Sequence, residues 1–159
     1  WQFGYLQKEI GCTVYSKPII TKLGEKVFYI AHGDGLGPGQ TLFKFILSIY
    51  RNWFFQRLFA FFHPYIGISI ANWFSHQSKL QNADSNNSYM GDNKEYLMLH
   101  AKTVLQDHKI DYFIFGHRHL AFHKQVGDTQ IINLGDWFSS DTYAIFDGND
   151  VSLINNSIK

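Results

Sequence analysis

Two short apolar runs, Val27-Phe28-Tyr29-Ile30 and Tyr112-Phe113-Ile114-Phe115, each give way to glycine and histidine. A run without polar alternation must be covered on both faces, so each is read as a strand inside a layered α/β fold. The first leads into His32-Gly33-Asp34-Gly35 and the second into Gly116-His117-Arg118-His119. Three imidazoles are thereby brought to strand ends, the sheet edge at which open α/β folds bind ligands. A turn at Gly116, which lacks a Cβ, can bring His117 and His119 onto one cluster.

The rest of the chain is organised around those strand ends. Residues around Ile19 and Ile20 pair with the first run through the turn Leu23-Gly24-Glu25-Lys26, a β-hairpin. From residue 40 to about 62, Phe43, Leu47, Tyr50, Phe54, Leu58 and Phe61 recur at helical spacing, which predicts one helix. Ile46, Ile49 and Trp53 widen its apolar face and leave a polar arc of Lys44, Ser48, Arg51, Asn52 and Gln56. Pro64 and Gly67 then break the pattern. No charge falls between Leu58 and Ser78, roughly the 20 residues a bilayer requires. His63, Pro64, Gly67 and Asn72 interrupt that stretch, so two shorter helices are expected rather than a membrane span. They form either an amphipathic pair with a face for lipid or an intramolecular helical layer.

Residues 79–91, rich in Gln, Asn, Asp and Ser, predict a loop. Asp92 and Glu95 offer a capping-box start to a helix with Leu97, Ala101, Val104 and Leu105 on its apolar face, ending near His108. Strands follow at 111–115, 120–126, 129–134, 143–146 and 151–154. The whole reads as one domain over 1–159 with a helical insertion at 40–90.

A net charge of +1, with no cluster of Lys and Arg, gives no reason to expect nucleic acid as a partner. The lone Cys12 excludes an internal disulfide, fits a reducing compartment and is assigned to packing. The opening WQFGYLQKEIG shows no signal peptide and reads as the middle of a protein. His63, His76, His100, His108 and His123 lack the strand-end setting and are read as surface or helix residues.

The HGDGL turn, the aromatic insertion, FGHRH and the LGDW at residues 134–137 together resemble the calcineurin-like metallophosphoesterases. Within them the resemblance is to the UDP-2,3-diacylglucosamine diphosphatases of lipid A biosynthesis in Gram-negative bacteria, and it covers nearly the whole chain. It implies the C-terminal part of a four-layer αββα sandwich, with the helical insertion as a cap. The missing N-terminal half of that fold would carry the other metal ligands, so the fragment by itself is expected to be inactive and to self-associate. It further implies two divalent metal ions, manganese by expectation, with His32 and His117 completing one site and His119 the other. His117 and Asp34 are the residues expected to act in catalysis, Asp34 either orienting a ligand histidine or stabilising the turn.

The implied partners are a lipid-linked UDP-sugar and the inner-membrane surface, with a cytoplasmic, peripheral location. Phe43, Leu47, Trp53 and Phe54 are expected to line the acyl chains, and Ser78, Lys79 and Asn82 to contact polar parts of the substrate. Arg118 stands either as a phosphate contact or as a solvated arginine. Related sequences usually carry Asp and Tyr where this chain has Gln40 and Phe43, which puts the exact substrate in question. Two other functions remain open: a metallophosphoesterase for another nucleotide or phosphodiester, and a noncatalytic lipid- or partner-binding module.

Overall fold

The computed structural model describes residues 4–37, 41–86, 89–138 and 140–156, without the side chains of residues 42, 43 and 77–86. The chain divides into two compact units, Trp1–Thr13 with Gly39–Ser85 and Val14–Pro38 with Asn86–Lys159.

The first unit is helical: α1 (Tyr5–Glu9), α2 (Thr41–Arg51), α3 (Trp53–Phe61) and α4 (Pro64–Asn86). The single helix expected over 40–62 is two, because Asn52 is extended and its side-chain oxygen accepts from the Phe54 N–H at 2.9 Å, capping α3. Pro64 opens α4, where its missing N–H costs no helical bond. Gly67 does not break that helix. It lies buried at a close approach to α3, where a Cβ would stand 3.3 Å from the Phe59 ring. The predicted loop at 79–91 is also corrected, since α4 continues to Asn86. Residues 79–86 contain no Gly or Pro to stop it, and Lys, Leu, Gln and Ala favour continuation. No helix among the described residues is long and apolar enough to cross a membrane. Cys12, assigned to packing, is exposed.

The second unit holds β1 (Ile19–Leu23), β2 (Lys26–Ile30), α5 (Tyr96–Val104), β3 (Tyr112–Phe115), β4 (Phe122–Val126), β5 (Thr129–Asn133), β6 (Thr142–Phe146) and β7 (Val151–Asn155). Five strands form a mixed sheet in the order β1-β2-β3-β5-β4, and β6 pairs with β7 in a separate hairpin. The neighbours β2/β3 and β3/β5 are parallel, and β1/β2 and β4/β5 are antiparallel.

Period-two alternation sorts the side chains of the central strands into two cores. Tyr29, Phe113, Phe115 and Ile131 pack with Leu97, Met98 and Ala101 of α5. Phe28, Tyr112 and Ile132 pack on the other side with Val151, Phe146 and Leu153 of the hairpin. The result is three layers: helix, mixed sheet, hairpin. Both faces of the central strands are therefore covered, one by α5 and the other by the hairpin. Covering on both sides is also why the β2 and β3 runs carry no polar alternation.

Helix α5 is shorter than expected, ending at Val104 with Leu105 as its C-cap. The expected capping box does not form. Glu95 occupies the N-cap position without a side-chain cap bond, and Asp92 instead accepts from the Tyr89 hydroxyl.

Candidate functional site

The parallel pairing of β2 and β3 runs on past the strands themselves. The Ala31 N–H donates to the Ile114 carbonyl at 3.1 Å, and the His32 carbonyl accepts from both Gly116 N–H (3.0 Å) and His117 N–H (2.7 Å). This double acceptance locks the two strand ends together at the point where each contributes a histidine. Nδ1 of His117 lies 3.3 Å from Nε2 of His32, with the ring planes at 77°.

A left-handed backbone is found at Gly33, with φ +110°, while the bends at 117–120 follow Gly116. A Cβ on Gly33 would come within 3.1 Å of both His117 Cβ and Leu97 Cδ2. Glycine at this position permits both the reversal of the chain and the approach of the imidazoles.

Burial lowers the pKa of His117, and the neighbouring His32 lowers it further. The Asp34 carboxylate acts in the opposite direction on the same ring. Burial and His32 both favour the neutral ring, whose nitrogen lone pair can be offered to a cation. His119 is largely exposed, and its Nδ1 lies 3.9 Å from the Asp136 carboxylate.

Arg118 is neither solvated nor directed to the surface. It is 4% exposed, and its guanidinium pairs with the fully buried Glu95 carboxylate. The fold holds this arginine inside because Glu95, freed from capping, meets it from the start of α5. Asn133, also fully buried at the end of β5, donates its amide to the Arg118 carbonyl and to the Leu120 carbonyl, the latter at 2.7 Å. The 117–120 turn is therefore held from within by Glu95, which the sequence reading took for a helix cap, and by Asn133, which it did not single out. The signal for Asn133 was a polar residue closing the apolar run Ile131-Ile132, and for Asp136 its place in LGDW.

Of the residues assigned to acyl chains, Leu47 is half-buried on α2, and Trp53 and Phe54 are exposed on α3. The side chains of Phe43, Ser78, Lys79 and Asn82 lie outside the described residues, as does Gln40 altogether. Among the described residues, no three His, Cys, Asp or Glu side chains come together so as to hold a metal ion. The described residues bring two imidazoles, those of His32 and His117, into contact, and set His119 beside Asp136.

Over 96% of its length the chain is 30% identical to a UDP-2,3-diacylglucosamine hydrolase of Porphyromonas gingivalis (strain ATCC BAA-308 / W83). The chain is a homologue of that hydrolase. It spans 63% of the hydrolase's length. No protein-family profile matches the sequence. His32, His117 and His119 all fall in the second unit, whose parallel strand ends carry them.

Proposed function

We propose that the chain forms part of an enzyme that adds water across the diphosphate of UDP-2,3-diacylglucosamine, giving UMP and 2,3-diacylglucosamine 1-phosphate. The observation that carries this reading is the His32–His117 pair at adjoining parallel strand ends, taken with the homology to a hydrolase named for that substrate. In the proposed enzyme His32 and His117 donate to one divalent metal and His119 to a second, manganese being the expected ion. Divalent metals in such a site would supply charge to the phosphoryl oxygens and acidify a bound water.

Among the described residues no three His, Cys, Asp or Glu side chains form a group that could hold a metal ion, and the homologous hydrolase is longer than the stretch it shares with this chain. The remaining donors would then belong to sequence outside these 159 residues, in the other half of a four-layer sandwich. Asp34, whose charge is felt at His117, orients that ring or steadies the turn.

The helical segment supports a membrane-facing, lipid-linked substrate. Phe45, Trp53, Phe54, Phe61, Tyr65 and Trp73 are exposed on α2–α4. The charged residues between Thr41 and Asn82 are Lys44, Arg51, Arg57 and Lys79, all cationic. Exposed aromatics combined with these cations suit an anionic lipid surface, in keeping with a cytoplasmic enzyme peripheral to the inner membrane.

The test is manganese-dependent release of UMP by a longer protein that includes this chain, run beside the 159-residue chain and a His117→Ala form of the longer one. Release by the longer protein alone is expected. Absence of release from a folded, metal-loaded longer protein would refute the substrate and favour another phosphoester.

A further inference from the structure

The turn that carries His117 and His119 has an open side and a buried arm. His119 is exposed and His117 half-buried, whereas Arg118 between them runs into the interior to meet Glu95. Glu95 is itself fixed, because its N–H donates to the Gly91 carbonyl at 2.9 Å and its carbonyl accepts from Leu99 N–H at 3.0 Å. The two residues that follow reach the other histidine's loop. Leu97 Cδ2 comes within 3.1 Å of where a Cβ on Gly33 would stand, and Tyr96 Cβ within 2.7 Å of the same position on Gly37. The first turn of α5 therefore touches both the loop after β2 and the turn after β3.

We propose that Glu95 is a positioning residue for the histidine pair: through Arg118 it sets the 117–119 turn so that the His117 ring meets that of His32. Residues 117–120 are a run of bends with no strand or helix to fix them, so their placement falls to side chains that reach in from neighbouring elements. Asn133 holds the backbone of this turn from β5, and Glu95 holds its side-chain arm from α5.

An ion pair suits this task better than apolar packing does. The Arg118 guanidinium meets the Glu95 carboxylate through one directional Nη1–Oε2 contact, whereas methyl groups of equal volume fill space without fixing an angle. A buried ion pair is no more stabilising than a well-packed apolar pair, so stability alone does not account for one here. The use of this arrangement in metal binding rests on the function proposed above, but the positioning itself can be read on the imidazoles without any metal.

The experiment compares the wild-type chain with Glu95→Gln and with the double variant Glu95→Leu, Arg118→Met, which removes both charges together. Long-range proton–nitrogen NMR at one fixed pH follows the ring nitrogens of His32 and His117 and the contact between the rings, while backbone amides of β2, β3 and β5 report the fold. The expected result is a preserved sheet, with shifted and broadened ring signals and loss of the ring–ring contact. Titration of the same samples with Zn²⁺ should show affinity lower by roughly 10–100-fold in both variants.

A folded double variant with unchanged ring signals would overturn the proposal, since packing alone would then place the rings. Unfolding of both variants would overturn it too, by showing that the pair holds α5 to the sheet. Ring signals that respond in the variants while wild type ignores Zn²⁺ would support the positioning and count against the metal-binding reading.

Discussion

Gly33 and Gly116 flank the same pair of imidazoles and carry different burdens. Gly33 has a left-handed φ, and any side chain there would press on His117 and Leu97, whereas a Cβ on Gly116 would meet only His32 Nδ1 at 3.8 Å. Gly33→Ala should therefore cost about 1–3 kcal/mol, while Gly116→Ala should stay near about 0.5 kcal/mol. Urea denaturation of the two variants checks this, and a larger loss at Gly116 would contradict the geometry. The histidines were legible in the sequence because a strand end is marked by where its apolar run stops. The roles of Glu95 and Arg118 were not, because they depend on two residues 23 positions apart meeting in the interior. Read locally, a glutamate before an apolar run is a cap and an arginine between histidines is a surface charge.

At the scale of elements, the β6–β7 hairpin is tied to the central sheet through the turn at Asp147 to Asp150. The Tyr112 hydroxyl on β3 donates to the Asp150 carboxylate at 2.7 Å, and Val151 N–H (2.8 Å) and the Gln130 amide (3.1 Å) donate to the same oxygen. The Tyr112 bond, then those from Val151 and Gln130, lower the Asp150 pKa below its ordinary 3.8. A depressed folded-state pKa means that the unfolded chain takes up the proton first. The stability Asp150 contributes is thus present above 3.8 and is lost as pH falls through the folded value. Tyr112→Phe removes the largest cause, so its melting temperature should fall less steeply than that of wild type as pH drops below 3.8. Parallel slopes in thermal melts would show that the bond does not set the carboxyl's affinity for protons. The strands were readable within a residue or two because their apolar runs are bounded by turn residues such as Gly127-Asp128. The helices were less so: one asparagine divides α2 from α3, while a polar stretch with no breaker continues α4.

For the molecule as a whole, the separation into two units has a direct consequence. Both hydrophobic cores are built from residues of the second unit, on the sheet, α5 and the hairpin. The helical unit instead shows large apolar side chains to solvent, among them Phe61 at 89% and Tyr65 at 75% exposure. Folding of the histidine-bearing unit should then be separable from whatever the helices bind. Replacement of residues 39–85 by a short Gly/Ser linker should leave the amide spectrum of β1–β7 and the His32–His117 ring contact in place, since loop closure costs little more for one length than another. The same replacement should abolish co-sedimentation of the chain with vesicles of anionic phospholipid, because it removes the exposed aromatics together with Lys44, Arg51 and Arg57. A shortened protein that unfolds would show that the sheet depends on the helices. One that folds and still binds vesicles would assign the lipid surface to the second unit, where exposed Trp137 and Phe138 follow Asp136 directly.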